Sequence, residues 1–363
     1  MNIAIFDAAP YWSGGAQRVY FYCRELKRVG VNVILFCLPT SRLNYLLKGV
    51  VKIYNIFPLS DLGLISLLKI CFIVCREKVD ILDLHSPKFY WLGLFAGRVL
   101  GKKVVITRNV IYRKKGVKKF INKFLYDGCD AVICVSEKVK QILVEDFNIP
   151  QEKIEVIYDA IEVKDFSPEE IRQIREKVRK EYNVEKKTFL LLTIGRVEKI
   201  KGYDVIVKAV KKLVDRGLNV KFISVGKTED KCFYSEIEKF ILNNKIEGYI
   251  QFVGFKDEVE HLIIASDVIV SGSYYESLGK SIVEGLFYNK PFVATSVGGL
   301  REVVSDKHGV FVEKIDPDSL AEAIVKVKDN YNLYMNNMKY FNKKVFSIDE
   351  MVRKYLKVLD RIK

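Results

Sequence analysis

The feature of this sequence that most constrains its fold is an alternation of short, β-branched apolar runs with segments of helical spacing. Seven such runs occur in the first half of the chain. The predicted strands cover residues 2–6, 31–37, 50–56, 79–84, 103–107, 131–135 and 154–157. Strands that alternate with helices are typical of a parallel sheet covered by helices. We therefore predict a Rossmann-like domain over residues 1–165.

A second series of the same kind begins after a polar segment, 159–168, and a highly charged helical pattern. Its predicted strands cover residues 188–194, 220–225, 250–253, 267–270 and 291–294. A chain of 363 residues is also long for a single hydrophobic core. We predict an α/β protein with a second Rossmann-like domain over residues 166–345. Because open α/β sheets bind ligands at the carboxyl ends of their strands, we expect the two domains to face a cleft.

Composition limits the class of protein further. Hydrophobic residues make up 49% of the chain and charged residues 29%, as in a well-packed globular protein. Scattered cysteines indicate a reducing compartment, and Met1 leads directly into a strand rather than a secretory signal, so we expect a cytoplasmic protein. The most apolar stretch, 62–75, contains Lys69 and is shorter than the roughly 20 residues that span a membrane. We interpret it as a buried helix.

The net charge of +15 is densest in a segment without acidic residues, 101–126. Its cations are Lys102, Lys103, Arg108, Arg113, Lys114, Lys115, Lys118, Lys119 and Lys123. The apolar positions that recur with helical spacing are Val117, Phe120, Ile121, Phe124 and Leu125. This pattern predicts an amphipathic helix whose cationic face points outward.

Two interpretations of this cationic segment remain open. The stretch from Arg113 to Lys123 could dock on an anionic membrane surface, which we expect, or it could be only a solvated lysine face. Four aromatic residues that precede the segment are expected in the core and not in a membrane. These residues are Phe89, Tyr90, Trp91 and Phe95.

A glycine pair follows the first predicted strand. Gly14 and Gly15 precede a helix whose free N–H groups and dipole favour phosphate, and glycine lets the backbone approach a ligand closely. A tight strand-to-helix turn without a ligand is the alternative. The segment is not a G-x-G-x-x-G fingerprint, which argues against a dinucleotide-dependent dehydrogenase.

A second candidate loop follows the first strand of the second domain. Arg196 and Lys201 lie between Gly195 and Gly202, at the end of a predicted buried strand. Two cations in such a place can neutralise a diphosphate as it becomes a leaving group. The alternative is a basic surface loop.

The third candidate segment, 273–285, contains two carboxylates. Glu276 and Glu284 are eight residues apart, with a helix predicted to start near Leu278. Carboxylates accept hydrogen bonds from sugar and ribose hydroxyls, while the free amides of a helix start can meet phosphate. The alternative is an acidic helix cap with an ordinary surface glutamate.

The segment 273–284, together with 285–294 and 298–302, resembles the donor-site signature of the family 4 glycosyltransferases. Further pieces occur in that family's order along essentially the whole chain. They are Gly14-Gly15, Val135-Ser136-Glu137, Gly195-Arg196 with Lys201-Gly202, and Asp267. The resemblance implies the GT-B fold, with C-terminal helices that cross back so that 346–363 packs on the first domain.

The resemblance also implies retaining transfer of a sugar from a UDP- or GDP-sugar, with no metal and no other cofactor. By position, Arg196 and Lys201 would contact the diphosphate, Glu276 the donor sugar and Glu284 the ribose. Gly14 and Gly15 would approach the phosphates, and the base would lie near 253–255. The other donor-binding positions are Gly195, Val253, Gly254, Phe255, Ser277, Leu278, Gly279 and Lys280.

The sequence departs from the family pattern in places. Where many members carry a histidine after the fifth strand, this chain has Arg108, so Arg108 and His85 are candidates for the acceptor side; a structural role for His85 stays open. The sequence Asp316-Pro317-Asp318 mimics a metal-binding motif of another glycosyltransferase class. We interpret it as a helix cap and assign no metal.

The sequence therefore predicts a glycosyltransferase that acts on a lipid-linked or cell-envelope glycan at the cytoplasmic face of the membrane, to which it binds peripherally. A GT-B-fold sugar-nucleotide epimerase or hydrolase is the alternative within enzymes. A basic module that binds membrane or nucleic acid would leave Glu276, Glu284 and the 195–202 loop unexplained. No nucleic-acid partner is therefore expected.

Overall fold

The computed structural model describes residues 1–57, 63–110 and 117–363, without the side chains of Val117 and Lys118. The predicted membrane-docking cations Arg113 to Lys115 lie outside these residues. The chain divides into two compact units: Met1–Ala160 with Lys344–Lys363, and Ile161–Lys343.

The described part of the first unit contains a seven-stranded parallel sheet in the order β3-β2-β1-β4-β5-β6-β7. Its strands are β1 (Asn2–Asp7), β2 (Asn32–Cys37), β3 (Lys52–Asn55), β4 (Ile81–Leu84), β5 (Lys103–Arg108), β6 (Ala131–Cys134) and β7 (Ile154–Val156). Each lies within a residue or two of a predicted strand. All neighbouring strands pair in parallel. The predicted Rossmann-like architecture of this unit is confirmed.

Helices cover both faces of this sheet. They are α1 (Gly14–Arg28), α2 (Arg42–Leu46), α3 (Leu64–Arg76), α4 (Pro87–Val99), α5 (Val117–Gly128), α6 (Glu137–Phe147) and, at the chain end, α14 (Ile348–Ile362). Side chains alternate along β1, so Ile3 and Ile5 join the core beneath α1, α2 and α14. Ala4 and Phe6 join the core beneath α3 to α6.

The C-terminal helix belongs to the first unit, as predicted. Tyr355 of α14 is fully buried and donates a hydrogen bond of 2.5 Å from its hydroxyl to Asp83 Oδ2 on β4. Its ring stacks on Tyr22 of α1 with the centroids 4.1 Å apart. Met351 and Leu359 are buried in the same core. The last helix is therefore held by both apolar packing and a buried polar contact.

The second unit contains a six-stranded parallel sheet in the order β10-β9-β8-β11-β12-β13. Its strands are β8 (Phe189–Ile194), β9 (Val220–Val225), β10 (Ile250–Phe252), β11 (Val268–Ser271), β12 (Phe292–Thr295) and β13 (Gly309–Val312). The first five were predicted. The edge strand β13 was missed; it pairs with β12 so closely that a Cβ on Gly309 would lie 2.3 Å from the Phe292 carbonyl oxygen.

The helices of the second unit are α7 (Pro168–Glu181), α8 (Tyr203–Asp215), α9 (Lys231–Asn243), α10 (Val259–Ala265), α11 (Lys280–Phe287), α12 (Pro317–Asp329) and α13 (Tyr331–Asn337). Asp267 fixes α7 to the sheet, because it accepts hydrogen bonds from Arg175 at 2.5 Å and from the Leu190 amide at 2.7 Å. Asp267 is thus a structural anchor in this unit.

Asp316 caps α12, as predicted. Its carboxylate accepts hydrogen bonds from the amides of Asp318 at 3.0 Å and Ser319 at 2.9 Å. The backbone hydrogen bond from Ser319 lowers the pKa of Asp316 to about 2. The Asp-Pro-Asp sequence is therefore accounted for by helix capping.

One prediction about the apolar helices was wrong. The stretch expected to be a buried helix forms α3, but one face of α3 is exposed, including Ile65 at 77% and Phe72 at 65%. The amphipathic helix predicted from Val117 is present as α5, and its apolar residues Phe120 and Phe124 are exposed. In the described part of the chain, no helix is long and apolar enough to cross a membrane.

Candidate functional site

The candidate site lies in the loops at the carboxyl ends of strands β8 and β11 in the second unit. Lys201 follows β8, and its ammonium nitrogen lies 2.8 Å from Glu276 Oε2, which follows β11. Both side chains are partly exposed, at 27% and 19%. The structure therefore brings together two of the three predicted catalytic residues in one ion pair that solvent can reach.

Glycines let these two loops touch along their backbones. Gly202 has a φ of +67°, and a Cβ there would lie 1.8 Å from the Gly272 carbonyl oxygen. A Cβ on Gly272 would lie 2.9 Å from the Gly202 carbonyl oxygen. Any larger residue at position 202 would both clash and adopt an unfavourable backbone conformation. The Lys201–Glu276 pair thus rests on a close contact of the two backbones.

Tyr274 joins the same loops through two further hydrogen bonds. Its amide donates to the Ile200 carbonyl at 2.9 Å, and its hydroxyl donates to Asp204 Oδ2 at 2.9 Å. Burial and then the hydrogen bond to Asp204 raise the pKa of Tyr274 to about 12. Tyr274 and Asp204 were not among the predicted site residues. Their positions, just before Glu276 and just after Lys201, were the available sequence signal.

The loop after β12 supports Glu276 from another side. Gly298 has a φ of +74°, and a Cβ there would lie 1.6 Å from the Glu276 carbonyl oxygen. The Gly299 amide donates a hydrogen bond of 3.2 Å to the Ser277 carbonyl. Because both contacts involve backbone atoms, this loop fixes the path of the chain on which the Glu276 carboxylate is carried.

The loops after β9 and β10 adjoin the loop after β8, and we call the loops that follow β8 to β12 the donor rim. Gly226 approaches Gly195 so closely that a Cβ on Gly226 would lie 2.0 Å from the Gly195 carbonyl oxygen. The Gly226 amide donates a hydrogen bond of 2.9 Å to the Gly254 carbonyl. Val253 and Phe255 flank Gly254, and the Phe255 ring is 40% exposed with the Lys227 ammonium 5.8 Å from its centroid. The proposed base-binding segment thus adjoins the Gly195 loop.

The remaining predicted residues of this unit lie in the loop after β8 and around the start of α11. Arg196 forms an ion pair with Glu198 at 3.0 Å. Helix α11 begins at Lys280, two residues later than predicted, because Gly279 adopts a left-handed conformation with a φ of +83° and Leu278 is buried. Glu284 lies on the second turn of this helix and is half-buried.

In the first unit, the structure places the predicted residues on three different segments. Gly14 and Gly15 are the first two residues of α1, which is capped by Ser13. Arg108 is the last residue of β5. Its buried side chain donates a hydrogen bond of 3.1 Å to the Tyr126 hydroxyl. The His85 ring is fully buried, with Nε2 2.9 Å from Asp83 Oδ2. Both His85 and Arg108 are buried from solvent.

The rim of the second unit combines cations, carboxylates and glycine backbone at the ends of parallel strands. Such a set suits an anionic, hydroxyl-rich ligand, since ammonium and guanidinium groups bind phosphate and carboxylates accept from hydroxyls. Among the described residues, no group of three or more His, Cys, Asp or Glu side chains could hold a metal ion.

Comparisons with known proteins agree with this description. Residues 12–165 match the model of Glycosyltransferase Family 4, and residues 174–345 match that of Glycosyl transferases group 1. The chain is 32% identical over 304 residues to the uncharacterized glycosyltransferase MJ1178 of Methanocaldococcus jannaschii, covering 80% of this chain and 78% of the relative. Two Rossmann-like units, each built on a parallel sheet, are the architecture of the GT-B class. The chain belongs to glycosyltransferase family 4.

Two other relatives differ in how much of their length is matched. The chain is 25% identical over 380 residues to the UDP-Gal:alpha-D-GlcNAc-diphosphoundecaprenol alpha-1,3-galactosyltransferase of Escherichia coli, covering 98% of this chain and 95% of that protein. It is 27% identical over 239 residues to the uncharacterized glycosyltransferase MJ1607 of Methanocaldococcus jannaschii, covering 64% of this chain. It spans only 60% of the length of that relative.

Solved structures share the fold over nearly the whole chain. A glycosyltransferase from Rickettsia africae has a TM-score of 0.87 and 25% identity, with 99% of this chain and 98% of that chain covered. HepE from Anabaena, solved with UDP-glucose, has a TM-score of 0.88 and 18% identity, with 99% and 100% covered. The predicted GT-B fold is confirmed.

Proposed function

We propose that the protein transfers a sugar, with retention of anomeric configuration, from a UDP- or GDP-sugar to a lipid-linked or cell-envelope glycan. The observation that carries the proposal is the Lys201–Glu276 pair at the strand ends of the second unit, held by the contacts of Gly202 and Gly298. A cation and a carboxylate fixed side by side match the two chemistries of a nucleotide sugar, its diphosphate and its hydroxyls.

Each residue of the rim has a proposed role. Lys201 and Arg196 contact the diphosphate, whose negative charge grows as it leaves. Glu276 accepts hydrogen bonds from the donor sugar, and Glu284 accepts them from the ribose. The backbone at 253–255 meets the base. Lys201 already donates a hydrogen bond to Glu276, so in the donor complex its ammonium group interacts with both the Glu276 carboxylate and the diphosphate.

In the proposed reaction the acceptor hydroxyl attacks the anomeric carbon from the side of the leaving group. The bond between that carbon and the diphosphate oxygen breaks, the bond to the acceptor oxygen forms, and the acceptor proton passes to the departing diphosphate. No carboxylate of the chain acts as a covalent nucleophile, and no metal is required. The protein contributes positioning and stabilisation of the leaving charge.

The acceptor class is supported by the E. coli relative, whose name gives a UDP-sugar donor and a diphosphoundecaprenol-linked acceptor. A cytoplasmic protein that acts on such an acceptor would have to bind the inner face of the membrane. The cation-rich sequence between Arg113 and Lys123 supports that placement, because each Lys or Arg near an anionic surface contributes roughly 1 kcal/mol of attraction.

The test is a screen of UDP- and GDP-sugars with undecaprenyl-diphosphate-linked sugars as acceptors, following release of the nucleoside diphosphate. The expected result is acceptor-dependent release with one donor, and a product whose anomeric configuration by NMR equals that of the donor. Glu276→Ala should abolish turnover, whereas Glu238→Ala, an exposed change on α9 in the same unit, should not.

Two outcomes would overturn the proposal. Conversion or hydrolysis of the donor that no acceptor accelerates would identify an epimerase or hydrolase. Tight, salt-sensitive binding to nucleic acid that survives Glu276→Ala, without turnover of any donor, would identify a charge-recruited binding module.

A further inference from the structure

Helix α3 carries an apolar face that the core does not use. Ile70, Ile73 and Val74 are buried against the sheet. On the other side, the exposed large apolar residues recur along one stripe of the helix. They are Leu64 at 66%, Ile65 at 77%, Leu68 at 61% and Phe72 at 65%. Four large apolar side chains on about two and a half turns exceed what isolated surface hydrophobics explain.

The neighbouring helices continue this property. Helix α4 packs between α3 and α5. It exposes Val99 at 74% and Phe95 at 38%, although Phe95 was expected in the core. Helix α5 exposes Phe120 and Phe124, and the Phe124 ring stacks on Trp91 of α4 with centroids 6.4 Å apart. We call the exposed apolar residues of α3, α4 and α5 the three-helix apolar face.

The charges of these helices point to one kind of occupant. The sequences of α3, α4 and α5 contain a single acidic residue, Asp127. Their basic residues are Lys69, Arg76, Lys88, Arg98, Lys118, Lys119 and Lys123. Apolar side chains among cations, almost without acids, are the composition of segments that lie in the interface of an anionic bilayer. A self-complementary protein contact would bring these cations against their own copies, which is unfavourable.

We propose that the three-helix apolar face inserts into the headgroup and acyl boundary of an anionic lipid membrane. This inference deepens the proposed function, on which it rests for its purpose. It assigns the membrane contact to apolar insertion by α3 together with α4 and α5, and not to lysine attraction from one basic segment alone. Because apolar insertion is not screened by salt, binding should persist when electrostatic attraction is suppressed.

The experiment is flotation of the full chain with vesicles of phosphatidylcholine and phosphatidylglycerol in equal parts, at low and at high salt. The wild-type chain should float at both, with a smaller bound fraction at high salt. The partition coefficient of the Ile65→Ser/Phe72→Ser variant into vesicles should be at least about tenfold lower at both salt concentrations, since two large apolar side chains no longer insert.

The matched control is Leu242→Ser/Leu333→Ser in the second unit, where the two leucines are exposed to 59% and 57%. This control should float like the wild-type chain. Equal flotation of the Ile65→Ser/Phe72→Ser variant and the wild type would overturn the inference, as would equal losses in the two double variants or complete loss of wild-type binding at high salt.

Two further measurements distinguish membrane insertion from dimerisation and from a role in donor turnover. A wild-type dimer in light scattering that Ile65→Ser/Phe72→Ser dissociates would show that a second copy covers the face, and would overturn the inference. Release of nucleoside diphosphate without vesicles should be unchanged by Ile65→Ser/Phe72→Ser, because the face is not part of the donor rim. Vesicle binding of the expected kind in a chain that turns over no donor would overturn the proposed function and leave the inference intact.

Discussion

The ammonium nitrogen of Lys201 lies 2.8 Å from Glu276 Oε2, although the two residues are 75 positions apart in the sequence. The contact joins the loops that follow β8 and β11, which are adjacent strands of the sheet. Adjacency of the strands brings the loops near each other, and the absence of side chains at Gly202 and Gly272 lets their backbones meet. The pair is thus a direct consequence of strand order and glycine placement.

Loss of the Lys201 cation should impair leaving-group stabilisation. We predict that Lys201→Ala lowers kcat/KM for the donor by about a hundredfold or more, the effect typical of removing one charge-stabilising group. The measurement is steady-state release of nucleoside diphosphate. Lys211→Ala, which breaks the surface pair with Asp215 in the same unit, should leave kcat/KM within about a factor of two. Equal kinetics for the two variants would remove Lys201 from the site.

Gly298 tests whether the β12 loop sets the position of Glu276. Gly298→Ala should lower donor turnover at least about tenfold, because its Cβ would lie 1.6 Å from the Glu276 carbonyl oxygen and must displace that segment. Gly217→Ala is the matched control, since Gly217 has nearly the same φ, +73°, with no atom within 4 Å of the added Cβ.

Both of these glycine substitutions place a side chain in the left-handed region, which costs about 1 kcal/mol of stability. Only Gly298→Ala should alter kinetics, measured at a temperature where circular dichroism shows both variants folded. A Gly298→Ala enzyme with wild-type turnover would mean that the β12 loop does not set the position of the Glu276 carboxylate.

Tyr274 gives a prediction about pH. Its pKa is raised from 10.0 to about 12 by burial and by the hydrogen bond to Asp204, so the native state favours the neutral phenol. The stabilisation from this hydroxyl is fully present below pH 10 and is lost as the pH rises from 10 to about 12. The difference in unfolding free energy between the wild type and Tyr274→Phe should therefore be constant below pH 10 and shrink above it.

Urea unfolding at a series of pH values measures this difference. Tyr340→Phe serves as the control, because Tyr340 is 62% exposed. A difference between wild type and Tyr274→Phe that stays constant up to pH 11.5 would show that the phenol is not held neutral by its surroundings.

The buried contact between Tyr355 and Asp83 should hold the C-terminal helix on the first unit. Tyr355→Phe removes one hydrogen-bond donor from a carboxylate that is fully buried, which should lower the unfolding free energy of the first unit by about 1–3 kcal/mol. Hydrogen exchange of the α14 amides is the measurement, and these amides should exchange faster in the variant. Tyr45→Phe, at a tyrosine that is 81% exposed, should leave their exchange unchanged.

The sequence predicted the strands well because buried parallel strands are short runs of β-branched residues with little ambiguity. It missed β13, whose four residues begin with Gly309 and gain their conformation from pairing with β12. It also assigned the apolar side of α3 to the core, because periodicity shows that a helix is apolar and does not show how much apolar surface the core can cover.

From the residues alone, the candidate site was predicted as separate loops, and only the family resemblance implied that these loops bind one donor. Sequence spacing placed Lys201 and Glu276 at strand ends, and the order of the strands then decided that they meet. The support from Tyr274, Asp204 and Gly298 depends on backbone contacts between loops far apart in the chain. Local sequence patterns do not encode such contacts. The start of α11 at Lys280, two residues later than predicted, arises from the left-handed conformation of Gly279.

The most direct test of the account is calorimetric titration of the wild-type chain with UDP and with GDP in the presence of EDTA. The account predicts saturable binding of one of the two nucleotides at one site per chain without metal, at least about tenfold weaker in Lys201→Ala and unchanged in Lys211→Ala. Absence of binding by both nucleotides, or binding that Lys201→Ala leaves unchanged, would contradict it.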